Sequence, residues 1–174
     1  MSMKILQYKK IDASFSPWTP LYIDVAQAVI DFIYLEQLEV IHIGSTSFNV
    51  GGKGIIDLTV LYKNNDLGLA TEHLSNLGFQ DQISKKPFPP GRPRKDGAVN
   101  LNGIVYYLHV HVIASGSEEH IKQLQYKDYM LNNSASRNKY ELSKKEIISN
   151  GITDQEAYGE QKSPFVKYLL KSIE

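Results

Sequence analysis

The first part of the chain passes from a helical to a strand-like spacing of its apolar residues. Between residue 21 and about residue 37, apolar side chains recur every three or four positions, which predicts an amphipathic helix. These positions are Leu21, Val25, Ala28, Val29, Phe32, Ile33 and Leu35. Two short apolar segments follow at 38–43 and 55–62, joined by a loop with four glycines. Their length and β-branched content predict two strands.

The next segment alternates between element-forming and element-breaking residues. Asp66 can cap a helix that runs to residue 76, where Gly78 ends it. A short strand is predicted from Phe79. Residues 85–96, KKPFPPGRPRKD, contain so many prolines that we expect them to lie outside the sheet.

A hairpin follows the proline-rich segment. Asn102 and Gly103 predict a two-residue turn between strands at 98–101 and 104–113. The remaining sequence has helical spacing, and it begins with helices at 118–131 and 135–149.

A third helix is predicted to begin at Thr153, because Thr153 and Glu156 have the spacing of a capping box. Pro164 is expected to kink or split this helix. The order of elements predicts an α+β fold with a small mixed sheet, flanking helices and a C-terminal helical segment. We expect one domain over 1–174, in which 1–116 form the core that contains the sheet and 117–174 pack on it as helices.

Composition removes several classes of function. The chain has 174 residues with 19 basic and 19 acidic side chains, so its formal net charge is zero. This balance argues against bulk binding of nucleic acid or anionic membranes. The absence of cysteine excludes a disulfide framework and a thiolate metal site. No apolar run approaches the ~20 residues that span a bilayer, and the N-terminus lacks an apolar signal core. We therefore expect a cytoplasmic protein without membrane association.

Candidate chemistry lies on the polar faces of two predicted strands. Strand alternation places Asp57 and Thr59 on one face of the second strand, and His109 and His111 on one face of the long hairpin strand. If these strands are neighbours, the four side chains form a cluster beside the glycine-containing turn. A hydrogen-bonded structural aspartate and two histidines on a wet sheet face are the alternative interpretation.

Glycines and basic residues near this cluster offer a phosphate site. Gly44 and Ser45 begin the glycine loop, where backbone N–H groups and a hydroxyl could hold phosphates; a plain tight turn is the alternative. Lys53 lies in the same loop. A second basic group follows with only Asp96 as countercharge: Lys85, Lys86, Arg92, Arg94 and Lys95. Phosphate binding by Lys53, Arg92 and Arg94 is one interpretation of these charges, and solvation is the other.

Five sequence blocks in order resemble the GrpB family: HIGSTS, GGKGIID, LHVHV, YKDYMLNNSASRNKYELSKK and AYGEQKSPFV. Trp18 fits as well. The family is similar in fold to nucleotidyltransferases, whose signature is a Gly-Ser turn followed about a dozen residues later by an Asp-x-Asp strand. Gly44-Ser45 and Asp57 fall at that spacing. The resemblance implies a nucleotide or other phosphorylated ligand and a divalent metal such as Mg²⁺.

The sequence departs from that signature at the expected metal ligands. Thr59 occupies the position of the second carboxylate, and the strand expected to supply a third carries His109 and His111. Imidazole suits Zn²⁺ or Mn²⁺ better than Mg²⁺. Asp57, His109 and His111 are thus candidate metal ligands, and Asp57 is the candidate catalytic residue if any catalysis remains.

Binding of a nucleotide or phosphorylated ligand without turnover is the favoured hypothesis, and it makes the chain a pseudoenzyme candidate. One alternative is a non-catalytic accessory module with a protein partner, which the resemblance supports because GrpB-like domains also occur joined to dephospho-CoA kinase. The other alternative is a metal-dependent hydrolase built on Asp57, His109 and His111.

Overall fold

A computed structural model describes residues 3–84 and 86–173. In these residues the chain forms five strands, five α-helices and one short 3₁₀ helix, Ser45–Phe48. The strands are β1 (Glu39–Ile43), β2 (Ile56–Tyr62), β3 (Gln80–Asp81), β4 (Arg94–Leu101) and β5 (Ile104–Ala114). The α-helices are α1 (Leu21–Ile33), α2 (Leu67–Asn76), α3 (Glu118–Asn132), α4 (Ser134–Ser149) and α5 (Gln155–Lys171). The predicted α+β class with a small mixed sheet is confirmed. Lys85 of the predicted basic group lies outside the described residues.

The strand order in the sheet is β1-β2-β5-β4-β3. β2 and β5 are parallel neighbours, whereas the other adjacent pairs are antiparallel. The register places Asp57 opposite His109 and Thr59 opposite His111. The predicted adjacency of the two polar strand faces is therefore confirmed.

The two faces of the sheet have different coverings. On one face, Leu58 and Val60 of β2 and Val110 of β5 are fully buried beneath α1 and α2. Each fully buried aliphatic side chain of this kind contributes about 1.5–3 kcal/mol of transfer free energy. The opposite face carries Asp57 and His109, and it meets the N-terminal segment and the C-terminal helices.

A second apolar cluster joins the glycine loop to the C-terminal helices. Phe48 and Val50 of the loop pack with Met130, Tyr140 and Leu169 of α3, α4 and α5. The loop that carries the Gly44-Ser45 turn is thus held by apolar contacts with the helices as well as by the strands on either side of it.

Helix ends agree with the sequence prediction where the cap is local. The Asp66 side chain accepts a hydrogen bond from Leu69 N at 3.0 Å, so it caps α2 as predicted. By contrast, α1 ends at Ile33 rather than near residue 37, because Tyr34 leaves the helical conformation and the following turn directs Leu38 into the core.

The start of α5 corrects one prediction. Asp154, and not Thr153, is the N-cap, since the Asp154 side chain accepts a hydrogen bond from Ala157 N at 2.9 Å. The Thr153 carbonyl instead accepts one from Ala13 N, and this contact holds the backbone outside the helix. Pro164 lies inside α5 without splitting it.

The proline-rich segment ends earlier than predicted. Pro93 is the last proline before β4, and Arg94, Lys95 and Asp96 already belong to that strand. The backbone carbonyl of Pro93 accepts a hydrogen bond from Val112 N at 2.9 Å, which starts the pairing with β5. Arg94 and Lys95 are therefore sheet residues rather than members of a solvated loop.

Candidate functional site

A cavity of about 360 Å³ opens over the polar face of β2 and β5, and we call it the basic cleft. Its walls come from the N-terminal segment, the glycine loop, β2, β4, β5, α4 and α5. Its lining includes Tyr8, Lys10, Ser45, Lys53, Asp57, Arg94, His109, His111, Lys144, Gln155, Glu156, Tyr158 and Lys162. The cleft thus brings together parts of the chain that are far apart in the sequence.

Two glycines of the loop make room for side chains of the cleft. Gly44 has φ of 72°, and a Cβ atom there would lie 2.6 Å from Oδ2 of Asp57. A Cβ atom at Gly52 would lie 2.8 Å from Nζ of Lys144. Glycine is needed at Gly44 because of its positive φ and the close approach, and at Gly52 because of the close approach alone. The loop therefore packs against a carboxylate and an ammonium group of the cleft.

Asp57 is faced by both histidines of β5. Its Oδ1 atom lies 3.4 Å from Nδ1 of His109 and 3.8 Å from Nε2 of His111. Burial alone would raise the pKa of Asp57, but hydrogen bonding from His109 and His111 outweighs the effect of burial and holds this pKa well below its ordinary value. The carboxylate is therefore ionised at neutral pH, although only 27% of the side chain is exposed.

His109 links Asp57 to the N-terminal segment. Tyr8 Oη lies 3.0 Å from Nε2 of His109, and Gln155 Nε2 donates a hydrogen bond to Tyr8 Oη at 3.1 Å. Burial lowers the pKa of His109, which favours the neutral imidazole. With Nδ1–H directed at the carboxylate, Nε2 accepts a hydrogen bond from the Tyr8 hydroxyl. Both ring nitrogens of His109 are thus engaged with protein groups.

Thr59 does not line the basic cleft. It is fully buried, and its hydroxyl donates a hydrogen bond to Gln123 Oε1 of α3 at 2.8 Å. Thr59 shares a strand face with Asp57 as predicted, but α3 covers that part of the face. The position of the second carboxylate is therefore occupied by a hydroxyl that is bonded to an amide.

Lysine side chains line the cleft, among them Lys53, Lys144 and Lys162. Nζ of Lys53 and Nζ of Lys162 lie 5.0 Å and 5.9 Å from the centroid of the same ring, that of Tyr158. Burial, and then the positive charge of Lys162, lower the pKa of Lys53 to about 8. Lys144 is only 2% exposed, and its Nζ donates a hydrogen bond to the Gly51 carbonyl at 3.0 Å. Burial and the charge of Lys162 hold the pKa of Lys144 well below its ordinary value.

The two arginines predicted to bind phosphate have different positions. Arg94 lines the cleft, but Nε and Nη2 donate to the two oxygens of Asp96 at 2.8 and 3.0 Å. Arg92 is not among the residues that line the cleft, and its guanidinium pairs with Glu119 at 2.9 Å. The structure therefore brings Gly44, Ser45 and Lys53 to the site. Arg94 lies at the site but is paired with Asp96, and Arg92 does not line the cleft.

The donor groups of the cleft do not fit the metal centre that the nucleotidyltransferase signature implies. Within residues 3–84 and 86–173, no group of three or more His, Asp or Glu side chains is arranged to hold a metal ion. Asp57, His109 and His111 come together as predicted, but the lone pair of His109 Nε2 accepts from Tyr8. Mg²⁺ requires oxygen ligands, and the set supplies one carboxylate.

Sequence reasoning missed several residues that line the cleft. Tyr8 carries no local signal, because its partners are 101 and 147 positions away. Lys144 and Lys162 lie within two of the blocks that resemble the GrpB family, but the helical pattern around each of them does not indicate a cleft. Nothing in the sequence around Tyr158 marks it as part of a cleft. It is buried with Ala13 and Ile147, and it also lines the cleft.

Similar solved structures define the class of fold. A cytoplasmic RNA terminal U-transferase matches with a TM-score of 0.51 and 16% identity, over 72% of this chain and 41% of that chain. The GLD-2/RNP-8 complex matches with a TM-score of 0.51 and 14% identity, over 78% of this chain and 54% of that chain. The chain spans about half or less of the length of these structures. It has a nucleotidyltransferase-like fold.

Within that class, the sequence identifies the family. Residues 10–172 match the family described as GrpB protein, and the chain therefore belongs to the GrpB family. The UPF0157 protein BH1888 of Halalkalibacterium halodurans is 24% identical over 156 residues, which cover 88% of this chain and 76% of that protein. Both findings confirm the resemblance drawn from the sequence blocks. Among the described residues, no helix is both long and apolar enough to cross a bilayer.

Proposed function

We propose that this GrpB-family chain binds a phosphorylated small molecule in the basic cleft, and that nucleotides are the first ligand class to test. The observation that carries the proposal is the position of Lys53 and Lys162. Both ammonium groups line the cleft and lie near the ring of Tyr158, and neither is in a salt bridge within the described residues. Two unpaired cations in a partly buried cleft favour an anionic ligand.

A second, smaller cavity supports the nucleotide class. It has a volume of about 290 Å³ and shares Ser45, Asp57 and Lys162 with the basic cleft. Phe48, Tyr126 and Tyr140 supply aromatic walls, and the first two meet edge to face with centroids 5.6 Å apart. Aromatic walls next to a phosphate site suit a ligand with a planar uncharged part.

Binding has more support than turnover. Standard nucleotidyl transfer needs several carboxylates to hold the metal ions that act on the phosphate. Here Asp57 is faced by two imidazoles, and Thr59 is bonded to Gln123 outside the cleft. Asp57 remains the candidate catalytic residue if chemistry occurs. A hydrolase that uses a metal at Asp57, His109 and His111 would first require His109 to release Tyr8.

A thermal-shift panel tests the proposal. Wild-type protein is melted with inorganic phosphate, nucleoside mono-, di- and triphosphates, and the matching phosphate-free nucleosides, each with and without divalent metal. A ligand at 100 times its Kd stabilises the folded state by about 2.7 kcal/mol. We expect phosphorylated compounds to raise the melting temperature and the nucleosides to leave it unchanged. Failure of every phosphorylated compound to shift it would refute the proposal.

A further inference from the structure

We infer that the basic cleft binds its ligand without a divalent metal ion, and that the ligand class is a phosphomonoester rather than a metal-chelated triphosphate. This inference rests on the proposed function, because it concerns the same cleft. In addition, we infer that lysines balance the charge of the phosphate and that the cleft holds one phosphate group. The observations that carry it are the occupied acceptor groups and the unpaired lysines.

Asp57 is the carboxylate of the cleft that is best placed to hold a metal ion. Its Oδ1 atom is faced by Nδ1 of His109 and Nε2 of His111 at 3.4 and 3.8 Å. Its Oδ2 atom lies against Gly44, where even a Cβ atom would approach to 2.6 Å. Both carboxylate oxygens of Asp57 thus lie close to protein groups.

The other groups considered as ligands of a metal centre are Asp96, His109 and Thr59. Asp96 is opposite His109 in the sheet, but both of its oxygens accept from Arg94 and it is 2% exposed. Nε2 of His109 is bonded to Tyr8, and the hydroxyl of Thr59 donates to Gln123. Asp96, His109 and Thr59 therefore each have a hydrogen-bond partner within the protein. Metal binding would require several of these contacts to break together.

Two lysines of the cleft can supply the positive charge that a metal ion would otherwise bring. Phosphate sites need positive charge beside the phosphate oxygens, and ammonium groups can provide it as point charges. Lys53 of the glycine loop and Lys162 of α5 both line the cleft near the ring of Tyr158, without carboxylate partners in the described part of the chain. They take the place of the cation in the proposed mode of binding.

The number of unpaired cations selects the ligand class. A phosphomonoester carries a charge of about −1.5 to −2 at pH 7, and two lysines offset that charge. A triphosphate carries more negative charge, and Mg²⁺ usually accompanies it to protein sites. Lys10 does not add a free cation, since it lies 3.5 Å from Glu156. Lys144 does not add one either, since it is buried and its Nζ is bonded to the Gly51 carbonyl. The cleft therefore matches one phosphate group.

The test compares binding in excess EDTA with binding in Mg²⁺, Mn²⁺ or Zn²⁺, by isothermal titration of inorganic phosphate, adenosine 5′-monophosphate and adenosine 5′-triphosphate into wild type and Asp57→Asn. We expect the Kd in EDTA to stay within about threefold when metal is added. We also expect Asp57→Asn to bind equally well or up to about tenfold more tightly, because the carboxylate repels phosphate when no metal lies between them.

Two outcomes would overturn the inference, and they differ in what else they remove. Binding that appears only with metal and disappears in Asp57→Asn would contradict metal-free binding but leave the phosphate site intact. Failure of phosphate, adenosine 5′-monophosphate and triphosphates to bind under any condition would refute the proposed function as well. If Asp57→Asn does not fold, the comparison of EDTA with metal in wild type decides.

Discussion

Lys53 and Lys162 lie near one aromatic ring, where two electrostatic effects oppose each other. The face of Tyr158 attracts a cation by about 0.5–1 kcal/mol or more when the site is desolvated. Burial and the ammonium group of Lys162 oppose the positive charge of Lys53 and outweigh this attraction, since the pKa of Lys53 falls to about 8. The charge of Lys53 is thus retained at a cost in the unliganded protein, and an anion in the cleft would remove that cost.

The pKa of Lys53 gives the first prediction. As pH rises from 7 to about 9.5, Lys53 in the folded protein loses its proton while the phosphate stays ionised, so affinity for adenosine 5′-monophosphate should fall. Lys53→Arg should flatten this dependence, because a guanidinium remains protonated. Titration calorimetry across this range measures both. A wild-type Kd that does not change with pH would contradict the assigned role of Lys53.

The same shift predicts how the unliganded protein responds to pH. The pKa of Lys53 is lowered on folding, so between about pH 8 and 10.4 the unfolded chain binds more protons at this residue than the folded chain. Lys53 therefore makes the free energy of unfolding rise with pH in this window. Chemical denaturation should show that the free energy of unfolding rises less with pH in Lys53→Met than in wild type. An equal rise in both proteins would show that Lys53 does not cause it.

At the scale of secondary-structure elements, local signals predicted the type of each element better than its ends. Alternation in β2 and β5 placed Asp57 and His109 on the polar faces of their strands, and their meeting depended on the two strands being neighbours, which the register shows. The ends of α1 and α5 depend on distant contacts, such as Leu38 in the core and the bond between Ala13 N and the Thr153 carbonyl. A reading of residues one after another does not contain those contacts.

The start of α5 gives a prediction at this scale. Asp154 caps the helix, so Asp154→Ala should lower the free energy of unfolding by about 1 kcal/mol, the usual cost of losing an N-cap. Thr153→Ala is the matched control and should cost clearly less, because the Thr153 contact seen here uses its backbone carbonyl. Urea denaturation of both variants measures the difference. A larger loss in Thr153→Ala would restore the capping box predicted from the sequence.

At the scale of the whole molecule, the cleft depends on contacts between segments that are distant in the sequence. The sheet class, the Gly44-Ser45 turn and the position of Asp57 could be predicted, because each follows from local pattern or from the family resemblance. Tyr8 and Lys144 could not, because their positions depend on how the N-terminal segment and α4 pack against the loop. Arg92 shows the reverse case, since its charge is paired outside the cleft.

The apolar link between loop and helices predicts cooperative unfolding. Phe48 is 1% exposed and packs with residues of α3, α4 and α5, although it belongs to the glycine loop. Phe48→Ala should lower the free energy of unfolding by about 3–5 kcal/mol and leave a single calorimetric transition. Differential scanning calorimetry tests this. Two separate transitions in wild type would show that the sheet and the helices unfold independently.

The central claim is that Lys53 and Lys162 bind the phosphate of the ligand. Isothermal titration of adenosine 5′-monophosphate and inorganic phosphate into wild type, Lys53→Met, Lys162→Met and Lys139→Met tests it most directly. Lys139 is an exposed lysine of α4 that does not line the cleft, and it serves as the control. We predict that each cleft variant loses at least about tenfold in affinity, or 1.4 kcal/mol, while Lys139→Met binds as wild type does. Equal binding by all four proteins would contradict the assignment of the phosphate site.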